Sequence, residues 1–396
     1  MSLFLLPMKI ITYNLNIISK YLFKHFTILL VKLMNLLRWS NAAKKSYNPI
    51  AIFHPKKVLG MLESWNKYLP EIIPYYAIKS FSNKHILDTI SNSKYRVGFD
   101  IASRKEHQMV KNYNQPIVFS HTIKSKCDIE YAKENSVRPL MADSIEELQK
   151  IRSIYPDCPI IWRIKSFEQD SKIRFNKKFG ADDSDTIFAL INYPEIIGMS
   201  FHVGSNCSNM NSYIKTIDTI LNRYYGIAAA NGNKLEIIDI GGGFTNKEDL
   251  VMLKQLGEHS FSRIKHLGIK CIAEPGRLFS KDSLSLLTKI IAIKKDVDRM
   301  DIYINDSIYN SFSGKLFDKQ QFSPVPLYNN HKYINCRIWG NTCDSADIIV
   351  ESVMLPIPKV DDVLLWENMG AYSIASSING FNGFGMAQIV NEEEQT

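Results

Sequence analysis

Five short stretches of this 396-residue chain carry residue types that do chemistry. Lys79 closes the apolar run Tyr75-Tyr-Ala-Ile-Lys79. A lysine at the end of a buried strand either snorkels outward or stands desolvated as a nucleophilic amine. Phe201-His202-Val-Gly-Ser205 sets a histidine just beyond another apolar run, as base, metal ligand, flat stacking surface or plain structural residue. Gly241-Gly242-Gly243 follows a third run. Adjacent glycines let backbone N–H groups close round an anion such as phosphate, or simply make a tight turn. No G-x-G-x-x-G or Walker sequence accompanies them. Glu274-Pro-Gly276-Arg277 holds an acid and a guanidinium three residues apart, able to grip opposite ends of one ligand or to pair with each other. Trp339-Gly-Asn-Thr-Cys343-Asp344 places a thiol beside a carboxylate. That is a competent proton donor next to a cation binder, although a free cysteine is commonly just a small buried hydrophobe.

Four of these five stretches share a context. Short apolar runs at 73–78, 96–99, 116–119, 137–141, 159–164, 197–203, 235–240 and 270–273 alternate with longer amphipathic stretches. Several of those stretches open on a cap-like residue, as in Asp143-Ser144-Ile-Glu-Glu. About eight such alternations predict an α/β fold, a (β/α)8 barrel, with a doubly wound sheet as the rival. Such barrels keep their chemistry at the C-terminal strand ends, where Lys79, His202, the glycines and Glu274 fall. After about residue 280 the runs become short, β-prone and separated by Pro, Asn, Gly and Asp turns, which predicts a smaller all-β, Greek-key-like domain. The expected division is an N-terminal segment 1–46 (a leader, or part of the β domain), a barrel 47–282, a β domain 283–391 and an acidic tail 392–396. A lysine, an acid, a phosphate cradle, an arginine and a flat ring at one barrel end together describe a pyridoxal phosphate site.

The formal charge of +8 invites a polyanionic partner, but its distribution removes that reading. Residues 1–46 hold seven basic residues and no acid, which leaves +1 for all the rest. The body shows no basic footprint for nucleic acid. The basic, apolar start reads as an organelle-targeting leader, a segment lying on a membrane surface, or an upstream extension of the reading frame. Six cysteines without a C-x-x-C pair exclude a zinc ribbon and argue against a disulfide framework, so no metal is expected and a reducing, cytoplasmic compartment fits.

Seven ordered segments now combine: Pro74-Tyr-Tyr-Ala-Ile-Lys79, Gly98-Phe-Asp100-Ile-Ala-Ser103, Ser200-Phe-His202-Val-Gly-Ser205, Asp239-Ile-Gly-Gly-Gly-Phe244, Ala273-Glu-Pro-Gly-Arg277, Trp339-Gly-Asn-Thr-Cys-Asp344 and Glu367-Asn-Met-Gly-Ala-Tyr372. From about residue 48 to 391 the chain resembles the eukaryotic ornithine decarboxylase family, pyridoxal phosphate enzymes with an alanine-racemase-like barrel. The resemblance implies L-ornithine decarboxylation to putrescine, with lysine or arginine as alternative substrates. A noncatalytic regulator resembling antizyme inhibitor is the reading of another class.

By this resemblance Lys79 attaches the cofactor, His202 stacks on its ring and Glu274 keeps the ring nitrogen protonated. Ser205, Gly241, Gly242, Gly243, Gly276, Arg277 and Tyr372 hold the cofactor, mostly at its phosphate, with Asp100 and Arg163 near the lysine and ring. Cys343 returns a proton to Cα, while Asp318 and Asp344 receive the distal ammonium of a basic amino acid. The family is homodimeric with shared sites, so Cys343 and Asp344 are expected to serve the partner's site, and Lys178 and Asp347 to pair between subunits. Departures stand at Phe81, in place of a usual asparagine, and at Asn206, Ser307 and Asn310, in place of glycines. Asn341 replaces a proline. The chain also begins unlike the family, which leaves the first strand of the β domain open.

Overall fold

A computed structural model describes residues 34–167, 171–378 and 380–393. Eight parallel strands close into a barrel: Ile72–Ala77, Gly98–Ile101, Ile117–Phe119, Leu140–Ala142, Ile160–Arg163, Ile196–Ser200, Ile237–Asp239 and Lys270–Ala273, the last pairing back onto the first. Closure decides against the doubly wound rival. A strand covered on both faces must be apolar on both, which explains near-continuous runs such as Ile160-Ile-Trp-Arg163, buried at every position. Ile73, Tyr75, Val118, Met141, Ile161 and Ile272 pack as one cluster within the barrel, while alternate residues such as Tyr76, Phe99 and Trp162 join the larger core beneath the helices.

The helices start where the sequence supplies caps. Ser103, Ser125, Ser144 and Asn246 each accept a backbone N–H from the first helical turn, and Ser125 and Asn246 complete capping boxes with Asp128 and Asp249.

The second layer is a mainly antiparallel eight-stranded sheet built on the long strand Leu284–Lys295. One expectation needs correction here. The strand Ile50–Phe53, expected inside the barrel domain that was to begin at 47, pairs antiparallel with Leu284–Lys295 and parallel with Gln388–Asn391. The chain therefore opens in the β sheet and only then enters the barrel. A helix through 34–45 lays Trp39 and Ala43 onto Ile50, Ile52, Leu287 and Val363. That part of the basic N-terminal segment is thus packed onto the sheet; residues 1–33 lie outside the described residues. Among the described residues no helix is long and apolar enough to cross a membrane.

Candidate active site

A cavity of about 380 Å³ opens at the C-terminal end of the barrel. Lys79, Arg163, His202, Ser205, Gly242, Gly243, Glu274, Gly276, Arg277, Asp318 and Tyr372 all line it. Gly241 and Asp100 stand immediately behind that wall, joined to it by hydrogen bonds.

Lys79 lies in the single turn Ile78–Ser80 that ends the first barrel strand. Its Nζ stands 2.9 Å from Asp100 Oδ2, and its side chain is 42% exposed toward the cavity. Asp100 is buried, and its other oxygen accepts the Ser120 hydroxyl. Burial pulls the Lys79 pKa down, but the Asp100 carboxylate, through its charge and its hydrogen bond, outweighs it and holds the ammonium above its usual range.

Glu274 follows the last barrel strand, and its backbone N–H donates to the Gly241 carbonyl at 2.7 Å. Its carboxyl is buried and its Oε1 has no partner among the described residues. Burial first, then the neighbouring Asp100 and Asp239, push it well above the carboxylate range. Asp239, buried beside it, is raised by burial to about 7, against the pull of the Gly241 N–H at 2.9 Å.

His202 Nδ1 accepts the Gly204 N–H at 3.0 Å, so the neutral ring carries its proton on Nε2. Burial, with Arg163 and Lys79 nearby, keeps its pKa well below the ordinary value. The ring is wedged edge-to-face against Phe175, centroids 4.7 Å apart. Arg163 rests on Phe179, its guanidinium carbon 4.9 Å from the ring centroid.

The glycine loop needs its glycines: Gly241 and Gly243 have φ of +67° and +114°, and a Cβ on Gly242 would meet the Glu274 carbonyl oxygen at 2.7 Å. Across the cavity, Arg277 Nη2 pairs with Asp318 Oδ2 at 2.6 Å, and its guanidinium carbon lies 4.8 Å from the centroid of the Tyr372 ring. Gln320 also donates to Asp318, at 2.8 Å. The departure at Asn206 has a visible basis. Its φ is +53°, the left-handed region in which asparagine is among the few tolerated substitutes for glycine.

Cys343 and Asp344 are not on this cavity. They sit on a β-domain loop, where the exposed Cys343 donates its N–H to Asn382 Oδ1 at 2.9 Å. Asp344 accepts from the Tyr309 hydroxyl and the Ala346 N–H, and these bonds hold its carboxyl below the usual range. Asp347 follows on the same loop. It is 1% exposed, and its oxygens take the Ile308 N–H and both the N–H and hydroxyl of Thr342. A carboxylate so placed ties its loop to the segment at Ile308.

Ser120, His121, Thr122, Phe175, Phe179 and Ser376 also line the cavity and carried no sequence signal of their own. Ser120 and His121 were findable in principle, because they directly follow the barrel strand Ile117–Phe119.

The arrangement fits pyridoxal phosphate. A buried, partnerless acid oxygen suits a ring nitrogen, a lysine amine suits a carbonyl carbon, and a glycine turn with an arginine suits a phosphate. The family model for the pyridoxal binding domain of pyridoxal-dependent decarboxylases matches residues 56–281. Ornithine decarboxylase of Mus musculus is 33% identical over 356 residues, covering 81% of this chain and 75% of its own. Antizyme inhibitor 2 of Xenopus laevis is 32% identical over 353 residues, covering 80% and 75%. Among solved structures, arginine decarboxylase of Paramecium bursaria Chlorella virus superposes with a TM-score of 0.84 at 27% identity, covering 90% of this chain and 99% of that one.

Proposed function

The chain belongs to the pyridoxal-dependent decarboxylase family, an amino-acid decarboxylase whose cofactor is pyridoxal 5'-phosphate, and from that premise we propose that it converts L-ornithine to putrescine and CO2. The observation that carries the substrate choice is Asp318. It is a buried carboxylate lining the same cavity as Lys79 and Glu274, suited to the distal ammonium of a short basic amino acid.

When bound, pyridoxal phosphate supplies a conjugated sink for the electron pair that CO2 leaves behind. Lys79 Nζ would hold the cofactor at its carbonyl carbon, the position a substrate amine also needs. Glu274, already inclined to keep its proton, would share it with the ring nitrogen. His202, neutral and fixed at Nδ1, offers a flat uncharged face to the ring. Ser205, Gly242, Gly243 and Arg277 would hold the phosphate. Cys343 protonates Cα and Asp344 assists at the distal ammonium, both from a second copy of the chain. Their position outside their own cavity, with Cys343 exposed, supports that sharing.

The noncatalytic alternative, of which the Xenopus laevis inhibitor is a relative, separates cleanly. Purified protein given pyridoxal phosphate should gain a visible absorbance that sodium borohydride bleaches while fixing the cofactor to the chain, and that Lys79→Ala abolishes. A wild-type protein that stays colourless would remove the catalytic reading.

A further inference from the structure

The hydroxyl of Tyr213 lies 2.7 Å from the Gly242 carbonyl oxygen, in the middle of the glycine loop. Tyr213 belongs to the helix Asn211–Thr219, on no cavity wall, and is completely buried. Its ring stacks on Phe244, the residue after the loop, with centroids 5.1 Å apart and planes 18° apart. It also meets Phe201, the residue before His202, edge-on at 6.3 Å. One side chain thus touches both segments that bound the cavity on this side. Burial pushes its phenol well above the ordinary pKa, so the hydroxyl keeps its proton and donates.

The other polar groups of the loop explain why this contact matters. Gly241 is held at both ends, its N–H by Asp239 Oδ1 and its carbonyl by the Glu274 N–H. Gly242 has only Tyr213 for its carbonyl among the described hydrogen bonds. In a trans peptide the C=O of one residue and the N–H of the next point in opposite directions across one rigid plane. Anchoring the Gly242 carbonyl on Tyr213 therefore turns the Gly243 N–H away from Tyr213. Gly243 itself lines the cavity. A glycine at φ +114° has no side chain to hold this plane, so a bond from outside the loop must do so.

We propose that Tyr213 is a positioning residue for the cofactor phosphate: by tethering the Gly242 carbonyl it presents the Gly243 N–H to the phosphate dianion. The inference rests on the cofactor site described above, and the loss it predicts is confined to the phosphate end.

The test titrates apoprotein, wild type and Tyr213→Phe, with pyridoxal phosphate and separately with pyridoxal, which lacks the phosphate; bound visible absorbance is the readout. Phenylalanine keeps the stack on Phe244 and removes only the hydroxyl. The wild type alone tests the cofactor site, and the ratio of variant to wild type tests Tyr213. Loss of one hydrogen bond predicts pyridoxal phosphate binding weakened about 3- to 10-fold with pyridoxal binding unchanged. Unchanged affinity for pyridoxal phosphate, or equal losses for both ligands, would overturn the proposal.

Discussion

Replacing Asp100 by asparagine should make Lys79 a better nucleophile, and the size of the change follows from the geometry. The two charges stand 2.9 Å apart. At that distance their attraction is about 1.4 kcal/mol in water and about 6 kcal/mol at an effective dielectric near 20. Asp100 is buried, but Lys79 is 42% exposed, so solvent screening confines the usable part to the lower half of that range, about 2–3 kcal/mol. That corresponds to roughly two pH units at the amine. The sign is unambiguous: removing the negative charge favours the neutral amine, so the Lys79 pKa falls. Asparagine has the same shape and keeps an oxygen for the Ser120 hydroxyl. At a fixed pH below the pKa the neutral fraction rises roughly 100-fold, and covalent capture of pyridoxal phosphate by apoprotein accelerates with it. The assay is the rate of borohydride-fixed cofactor uptake measured from neutral to alkaline pH. The profile for Asp100→Asn should lie about two pH units to the acid side of wild type. An unshifted profile, or one moved to the alkaline side, would show that Asp100 does not control this amine.

Other consequences are as direct. Gly242→Ala places a Cβ 2.7 Å from the Glu274 carbonyl oxygen and 3.0 Å from His202 Nε2, an overpacking cost of about 1–3 kcal/mol. Cofactor affinity should drop in Gly242→Ala, whereas Gly226→Ala, with open space around it, should retain wild-type uptake in the same titration. Asp306 is fully buried, and burial raises its pKa to about 6 from an ordinary value near 4. A carboxyl raised in the folded state costs nothing where both states are protonated. It destabilises progressively as pH climbs from near 4 through 6, by on the order of 3 kcal/mol. Denaturant melts of Asp306→Asn should therefore show less loss of stability between pH 4 and pH 8 than wild type, and a parallel pH dependence would contradict this. Cys343→Ala should still release CO2 but misdirect the proton, so product analysis should find aldehyde and pyridoxamine phosphate; clean amine formation would remove Cys343 from that role.

The barrel was legible because its strands are covered on both faces, so each wrote a compact apolar run into the sequence, and because serine and asparagine caps marked the helices between them. The strand Ile50–Phe53 was not, since Ile-Ala-Ile-Phe, buried at all four positions, reads the same whether it closes a barrel or enters a second sheet. Lys79, Glu274 and the glycines were legible for a positional reason: strand ends at one face of a barrel must converge. Phe175 and Phe179 reach the cavity from a loop beside the two-stranded ribbon formed by Ser171–Ile173 and Ser205–Cys207, whose pairing has no local pattern. Tyr213 was silent for the same reason, as one aromatic among many on an amphipathic helix.

The central claim concerns chemistry at a cavity that joins Lys79, Glu274 and Asp318. The most direct test is CO2 release by the protein loaded with pyridoxal phosphate, measured side by side on L-ornithine, L-lysine, L-arginine and diaminopimelate. The account predicts the highest kcat/KM on ornithine, with putrescine as the amine product. Equal or greater activity on any of the other three would contradict the substrate assignment, and no release from any of them would contradict the catalytic assignment itself.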